Sequence, residues 1–177
     1  EQPGTHEHDG FYLRILLGPG YASFNGPSTI KLSGFGVGFA LDAGGAISEN
    51  LIAFGQLMVN SINDPELTGA RLNGTVEGTF GSQGIGAGLS YYIMPMNAFV
   101  SGSLLFASLN SQLDGEEESS SEGKGIGVNL VAGKEFWVSS NWGLGIAAQM
   151  ALSRVTDDAD DEWTNVGFSI GMTGTFN

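Results

Sequence analysis

The chain has 177 residues, among them 29 glycines and no cysteine, and its formal net charge is −13. The acidic charge argues against nucleic acid as a partner, and against docking onto an anionic lipid surface through a basic patch. The absence of cysteine excludes disulfides and thiolate metal sites, and no apolar run reaches the roughly 18 residues that a membrane-spanning helix needs.

Residues 1–9 are polar and lack the basic and apolar regions of a secretory signal peptide, which we presume has been removed. We interpret this segment as a flexible periplasmic tail. His6 and His8 could share a Zn²⁺ or Cu²⁺ ion if the segment is extended. Such a site would be weak, and a disordered tail is the simpler interpretation. No cofactor is expected.

The rest of the chain, 10–177, is predicted to form one domain of β-strands. In 165–176 apolar residues alternate with small or polar ones, with the period of two that a strand imposes. The same alternation is found in 32–43, 84–94 and 143–156. The predicted strands are 10–22, 32–43, 51–62, 84–94, 98–110, 125–138, 143–156 and 165–176. Leu72, Val76 and Phe80 also have strand character, which would start the fourth strand earlier.

Charged residues are confined to a few segments of the chain. None occurs in 78–113, 136–153 or 163–177, whereas 114–122 and 157–162 are acidic blocks. Soluble β-proteins usually place Lys and Glu on the exposed face of their strands. Here the second face consists of Gly, Ser, Thr, Ala, Asn and Gln, which is typical of a wall with lipid on one side and a tight polar interior on the other.

The links between the predicted strands alternate in length. Short links lie at 44–50, 95–97 and 139–141, and longer polar links at 23–31, 63–83, 111–124 and 157–164. Outer-membrane barrels have short periplasmic turns and longer extracellular loops, so both termini are expected on the periplasmic side. Aromatic residues flank both sets of links, as in interfacial girdles: Tyr91, Tyr92, Trp137, Trp142 and Phe176 beside the short ones, and Tyr21, Phe24 and Trp163 beside the long ones.

With these features, 10–177 resembles the small eight-stranded outer-membrane barrels of the outer-membrane-protein-A-like and opacity-protein-like group. In that family the last strand alternates apolar residues and ends in an aromatic, which the barrel-assembly machinery reads. Phe168, Ile170, Met172 and Phe176 look like this assembly signal, although Asn177 follows the aromatic. The resemblance implies an all-β, up-and-down antiparallel barrel in the bacterial outer membrane, in contact with its lipid and lipopolysaccharide.

Few ionisable residues fall within the predicted strands, and Arg14 is the clearest. If Leu13 and Ile15 face lipid, Arg14 points into the lumen together with Tyr12. Eight strands leave an interior that side chains can largely fill. We therefore interpret Arg14 as part of a plug, in preference to a gate or a proton-sensitive constriction.

The same parity places two carboxylates, Asp42 and Glu135, inside the barrel. A lone charge in a narrow lumen is costly, so Arg14 is expected to form an ion pair with one or both of them. Gln56 and Gln149 are expected to add hydrogen bonds.

The predicted function is that of a non-enzymatic barrel with a largely plugged lumen. It would stabilise the envelope or bind a partner, such as another envelope protein, through its acidic loops. Both histidines precede the first strand, so no Ser/His/Asp set can be placed at the loop-side rim. The alternative is a narrow channel for small or apolar solutes. A soluble ligand-binding barrel is disfavoured, because it would place apolar residues inside and charges outside.

Overall fold

The computed structural model describes residues 10–69, 73–94, 96–113, 120–157 and 160–177. Within them no helix is long and apolar enough to cross a membrane. A short 3₁₀ turn lies at Pro27–Thr29. The strands are β1 Phe11–Asn25, β2 Lys31–Ser48, β3 Leu51–Asn63, β4 Glu66–Thr68, β5 Asn73–Thr75, β6 Gly78–Ile93, β7 Ala98–Leu113, β8 Ser120–Trp137, β9 Trp142–Thr156 and β10 Glu162–Phe176.

Eight long strands close into one antiparallel barrel. Around the wall the order is β1, β2, β3, β6, β7, β8, β9, β10, and β10 returns to pair with β1. At this closure Leu13 lies opposite Phe176 and Asn25 opposite Thr164. Each long strand pairs with the long strands before and after it in sequence, and closure leaves the wall without a free edge. The predicted eight-stranded up-and-down barrel is confirmed.

The strands extend beyond their predicted limits, mostly at the loop end of the barrel. At the short-turn end β2 continues to Ser48, so the predicted link 44–50 is reduced to a turn at 49–50. The fourth barrel strand, β6, begins at Gly78 and not at residue 84. In addition, β4 and β5 form an unpredicted hairpin that continues the wall, with Lys31 opposite Thr68. Backbone pairing therefore continues where the side chains no longer alternate between apolar and polar. The alternation therefore predicts the limits of the lipid-facing band more reliably than it predicts the ends of the strands.

The turns at one end of the barrel are short, as predicted. They lie at 49–50, 94–97 and 138–141, whereas the opposite end carries 26–30, 64–77, 114–119 and 157–161. Asn50 and Asn97 adopt positive φ angles of 60° and 50° in the short turns. Asparagine tolerates this left-handed conformation better than most residues, which allows the chain to reverse tightly. Both described chain ends lie at the short-turn end.

The outer face of the wall is a continuous apolar band. Phe106 and Ile146, for example, are 76% and 64% exposed. On the outer face of β8 only Ile126, Val128, Leu130 and Ala132 lie between Lys124 and Lys134. Ten residues at about 3.3 Å each, on a strand tilted by about 40°, span roughly 25 Å along the barrel axis. This is the height of the apolar band of outer-membrane barrels, so the two lysines mark its upper and lower limits.

The inner face is narrow, which explains many of the glycines. A Cβ added to Gly86 would lie 1.9 Å from the carbonyl oxygen of Leu104, and one added to Gly18 would lie 2.1 Å from that of Ile170. In such a strongly curved wall, neighbouring backbones converge on the inner side. Side chains larger than hydrogen fit at only some inward positions.

Candidate functional site

The lumen holds three apolar clusters, which follow one another along the barrel axis. The lower cluster lies towards the short turns and the upper cluster towards the loops. The lower cluster comprises Tyr12, Leu16, Ala40, Ile52, Phe54, Tyr92, Phe99, Val131 and Ala147. The middle cluster comprises Met58, Leu105 and Ala151. The upper cluster comprises Ala22, Phe24, Leu32, Ile62, Ala107, Leu109 and Val155.

An ion pair is enclosed by the lower cluster. Arg14 on β1 lies directly opposite Asp42 on β2 in the strand register. The Arg14 side chain donates to Asp42 Oδ2 from Nε at 3.0 Å and from Nη2 at 2.6 Å. Its guanidinium carbon also lies 4.3 Å from the centre of the Phe99 ring, within the range of a cation–π contact. Arg14 and Asp42 are each 1% exposed, so both charges are removed from solvent.

Amide and hydroxyl groups add hydrogen bonds around this ion pair, although Arg14 Nη1 has no hydrogen-bond partner among the described residues. Gln56 Nε2 donates to the second oxygen of Asp42 at 2.6 Å, and Arg14 Nη2 donates to Ser101 Oγ at 2.8 Å. Ser103 Oγ and Asn129 Nδ2 then donate to Gln56 Oε1 at 2.6 and 3.0 Å. The network joins β1, β2, β3, β7 and β8. Hydrogen bonds to charged groups are the strong ones in a low-dielectric interior, so these contacts cross-link the barrel from inside.

Glu135 belongs to a second group near the short-turn end. It accepts from Thr175 Oγ1 at 2.6 Å and from Tyr92 Oη at 3.2 Å, and the Tyr92 hydroxyl lies 3.4 Å from that of Tyr12. Glu135 is 1% exposed. Of the two carboxylates considered from the sequence, the structure joins Asp42 to Arg14 in an ion pair, whereas Glu135 is held by hydroxyl groups.

Gln149 lies apart from the Arg14 network, to which it was predicted to add hydrogen bonds. Its Oε1 accepts from Ser169 Oγ at 3.3 Å. Its Nε2 is one of several buried polar atoms in the described lumen that have no hydrogen-bond partner, together with Ser153 Oγ, Thr173 Oγ1 and Asn165 Oδ1. The lumen above the ion pair is therefore lined in part by polar atoms that could contact water or a small solute.

The upper cluster narrows the loop end of the lumen. A small cavity of about 30 Å³ lies there, among Phe24, Leu32, Phe80, Leu109 and Trp163. This volume is about that of one water molecule. Aromatic and aliphatic side chains thus surround the loop-side mouth, and the charged network lies deeper.

Several lumen residues were not identified from the sequence. Tyr92 and Phe24, both predicted to belong to the interfacial girdles, are buried inside the barrel, and the Tyr92 ring packs 5.4 Å from that of Phe99. Phe99, Ser101 and Ser103 share one face of β7, and strict parity would have placed all three inside. Their neutral side chains gave no reason to single them out.

The remaining predicted sites are partly described. His6 and His8 lie outside the described residues, as do Asp114 and Glu116–Glu118 of the first acidic block. Phe168, Ile170 and Met172 lie on the lipid-facing side of β10, and Phe176 packs 5.4 Å from Trp142. Among the described side chains, no group of three or more His, Asp or Glu residues could hold a metal ion.

Comparison with known proteins identifies the fold. No family model matches the chain, and neither does any curated protein sequence. Among solved structures, Neisserial surface protein A is similar over 93% of this chain and 96% of its own, with 16% identity and a TM-score of 0.59. The outer membrane protein OprG from Pseudomonas aeruginosa is similar over 96% and 98%, with 13% identity and a TM-score of 0.51. The outer membrane protein AlkL is similar over 96% and 92%, with 12% identity and a TM-score of 0.50. The chain has the fold of the small eight-stranded outer-membrane barrels.

Proposed function

We propose that this chain is a non-enzymatic barrel of the bacterial outer membrane, with a lumen largely plugged by its own side chains. It stabilises the envelope or binds a partner, such as another envelope protein, through its acidic loops. The observation that carries the proposal is the Arg14–Asp42 ion pair, which is buried and hydrogen-bonded directly to two further strands and, through Gln56, to a third.

The energetics of the ion pair support a closed lumen. A passing ion would have to displace Arg14 or Asp42 from a partner, and removing one partner of a buried pair typically costs about 3–5 kcal/mol. The cation would also have to leave the Phe99 ring. Charged groups held by one another and by neighbouring side chains in this way favour a structural role over transport.

The lipid-facing band and the shared fold support the outer-membrane location. The absence of a catalytic role is part of the same proposal: Asp42 and Glu135 are held by internal partners and withdrawn from solvent. They are poorly placed to reach a substrate.

The loop-side carboxylates support the partner-binding part of the proposal. In the second acidic block Asp157 accepts from the backbone N–H of Asp161 at 2.9 Å and from Trp163 Nε1 at 3.1 Å. Asp160 and Asp161 are exposed beside these contacts. Asp160 and Asp161 thus present negative charge that is complementary to a basic surface of a partner.

A pull-down from native membranes tests partner binding. The bait is the full chain, compared with an Asp160→Asn/Asp161→Asn variant that keeps the Asp157 contacts. We expect one envelope protein to be retained by the wild-type chain and lost with the variant or at high salt, because exposed charges are screened. Equal retention by both baits would rule out the acidic turn as the binding surface.

A narrow channel is the second candidate, favoured by the unpartnered polar atoms above the ion pair and by the apolar loop-side mouth. Liposomes containing the purified barrel separate the two functions. The plug predicts that neither glycerol nor benzyl alcohol enters faster than into protein-free liposomes. Faster entry of either solute, lost when Leu105 at mid-lumen is changed to Trp, would favour the channel.

A further inference from the structure

An apolar groove of about 510 Å³ crosses the lipid-facing side of β7–β10. The outward side chains that line it are Leu104, Phe106, Ile126, Val128, Leu152 and Val166. Leu104, Phe106 and Ile126 are 72%, 76% and 69% exposed. These side chains stand away from the wall and leave a depression between them, with dimensions suited to a hydrocarbon chain.

The strand register places charged groups directly above this groove. Three successive rows of outward residues run across β8, β9 and β10. From the loop end downwards, the rows are Lys124, Thr156 and Glu162, then Ile126, Arg154 and Thr164, then Val128, Leu152 and Val166. The upper two rows therefore supply two cations, one carboxylate and two hydroxyls, whereas the third row is entirely apolar.

Arg154 connects the charged rows to the groove, because it also lines the upper end of the groove. Its Nη2 donates to both carboxylate oxygens of Glu162 at 2.5 Å, yet the two side chains remain 63% and 57% exposed. A charge pair this exposed contributes little to stability, so it can contact another molecule at small cost. Lys124 marks the upper limit of the apolar band, and these groups therefore lie at the level of lipid headgroups.

We propose that this groove is a binding site for a phosphorylated glycolipid of the outer leaflet. One acyl chain lies in the groove, the phosphate contacts Arg154 and Lys124, and sugar hydroxyls donate to Glu162 or accept from Thr164. The inference rests on the proposed outer-membrane location.

The combination of two cations, one carboxylate and two hydroxyls favours a phosphorylated sugar over a simple anionic headgroup. The chain as a whole is strongly acidic and offers no basic surface to an anionic membrane. A phosphate placed at Arg154 alone would be repelled by the adjacent Glu162. A sugar phosphate uses both charges, because its hydroxyls can donate to the carboxylate while its phosphate accepts from the cations.

Native mass spectrometry of the purified, folded barrel tests the site, with diphosphorylated lipid A as the probe. We expect the Lys124→Gln/Arg154→Gln variant to retain the lipid at least tenfold more weakly, because one charge-assisted hydrogen bond is worth about 1.5 kcal/mol or more. Lys31→Gln is the matched control: it removes an outward-facing cation at the same end of the barrel, on β2. The control should retain lipid A like the wild type.

Two further measurements identify the occupant. In the first, Val128→Trp fills the groove from the lipid side and should weaken the retention of lipid A while the charges stay intact. In the second, the wild type should retain lipid A better than dephosphorylated lipid A or phosphatidylethanolamine. Equal loss in the Lys31→Gln control, or equal retention of all three lipids, would overturn the site. Folding is checked beforehand by heat-modifiable migration, and lumen conduction is measured separately. A failed lipid site therefore leaves the plugged-barrel proposal standing.

Discussion

Arg14 has three kinds of partner inside the barrel: the Asp42 carboxylate, the Ser101 hydroxyl and the Phe99 ring. Removing the guanidinium leaves Asp42 as a buried charge, with Gln56 as its remaining donor. Arg14→Ala should therefore lower the free energy of unfolding by about 3–5 kcal/mol. Urea titration of the barrel in lipid vesicles, followed by gel mobility, measures this loss.

The double variant Arg14→Ala/Asp42→Ala should recover part of the loss, because no unpaired charge is left behind. Losses that simply add would mean that the two residues are not coupled. Lys134→Ala provides a comparison, since this exposed cation at the lower limit of the band should change stability by less than about 0.5 kcal/mol.

Glu135 should behave differently from Asp42. Glu135→Gln keeps one oxygen that can accept from Thr175 or Tyr92, while its amide N–H can donate to the other hydroxyl, and it removes a charge that is held by hydroxyl groups. Its cost should stay near that of one hydrogen bond, about 1 kcal/mol, whereas Asp42→Asn leaves Arg14 unpaired and should cost about 3–5 kcal/mol. The same urea titration compares them. A larger loss for Glu135→Gln would show that Glu135 is the main counter-charge of the lumen.

The sequence predicts inward-facing charges well and their neutral partners poorly. Arg14 and Asp42 stand out because a charge within an apolar alternation requires an explanation, and parity alone places both inside. The choice between Asp42 and Glu135 depends on strand register, which is set by turn lengths and backbone pairing. Asn129 and Ser103 resemble any other small polar residue of the inner face until the register is known.

At the scale of single strands, the free-energy cost of a charged side chain on the outer face depends on its depth in the membrane. Ile146 lies in the apolar band on β9 and is 64% exposed to the surroundings of the barrel. Ile146→Arg should cost about 2–4 kcal/mol in lipid vesicles, whereas Thr156→Arg, on the same face at the loop end, should cost about 0–1 kcal/mol. Equal costs would show that the two positions lie at the same depth.

Inward glycines are a second property of individual strands. At the inward Gly86 an added methyl would collide with the Leu104 carbonyl, whereas Gly102 faces outward, and there the nearest atom would be the tip of the Leu130 side chain at 3.4 Å. We expect Gly86→Ala to lower the urea midpoint of unfolding clearly and Gly102→Ala to leave it nearly unchanged. If both variants unfolded at the wild-type midpoint, the wall would be less curved than described.

The strands themselves follow closely from the sequence, because a two-sided wall imposes its period on every residue of the lipid-facing band. Their loop-side ends do not, and in 64–77 the strand character of Leu72 and Val76 indicates an earlier start of the fourth strand and not a separate β4–β5 hairpin. Above the band both faces meet water, so the alternation that reveals a strand is no longer required there.

At the scale of the whole molecule, the barrel should be inserted with its longer loops outside. Protease added to intact cells should cut near 114–122 and spare 1–9. Disrupting the outer membrane first is the control, and it should expose the N-terminal segment as well. Cleavage of 1–9 in intact cells would mean that the barrel is inserted in the opposite direction.

Conductance across a planar lipid bilayer tests most directly whether the lumen is closed by its own side chains. Folded wild-type barrel should give no steady current above the protein-free baseline, because Arg14 and Asp42 occupy the lower lumen together with the Phe99 ring. Arg14→Ala/Asp42→Ala removes both charged side chains from that section, which widens it, and should produce discrete current steps. A wild-type barrel that carries steady current, unchanged in the double variant, would contradict the plug and identify the chain as a channel.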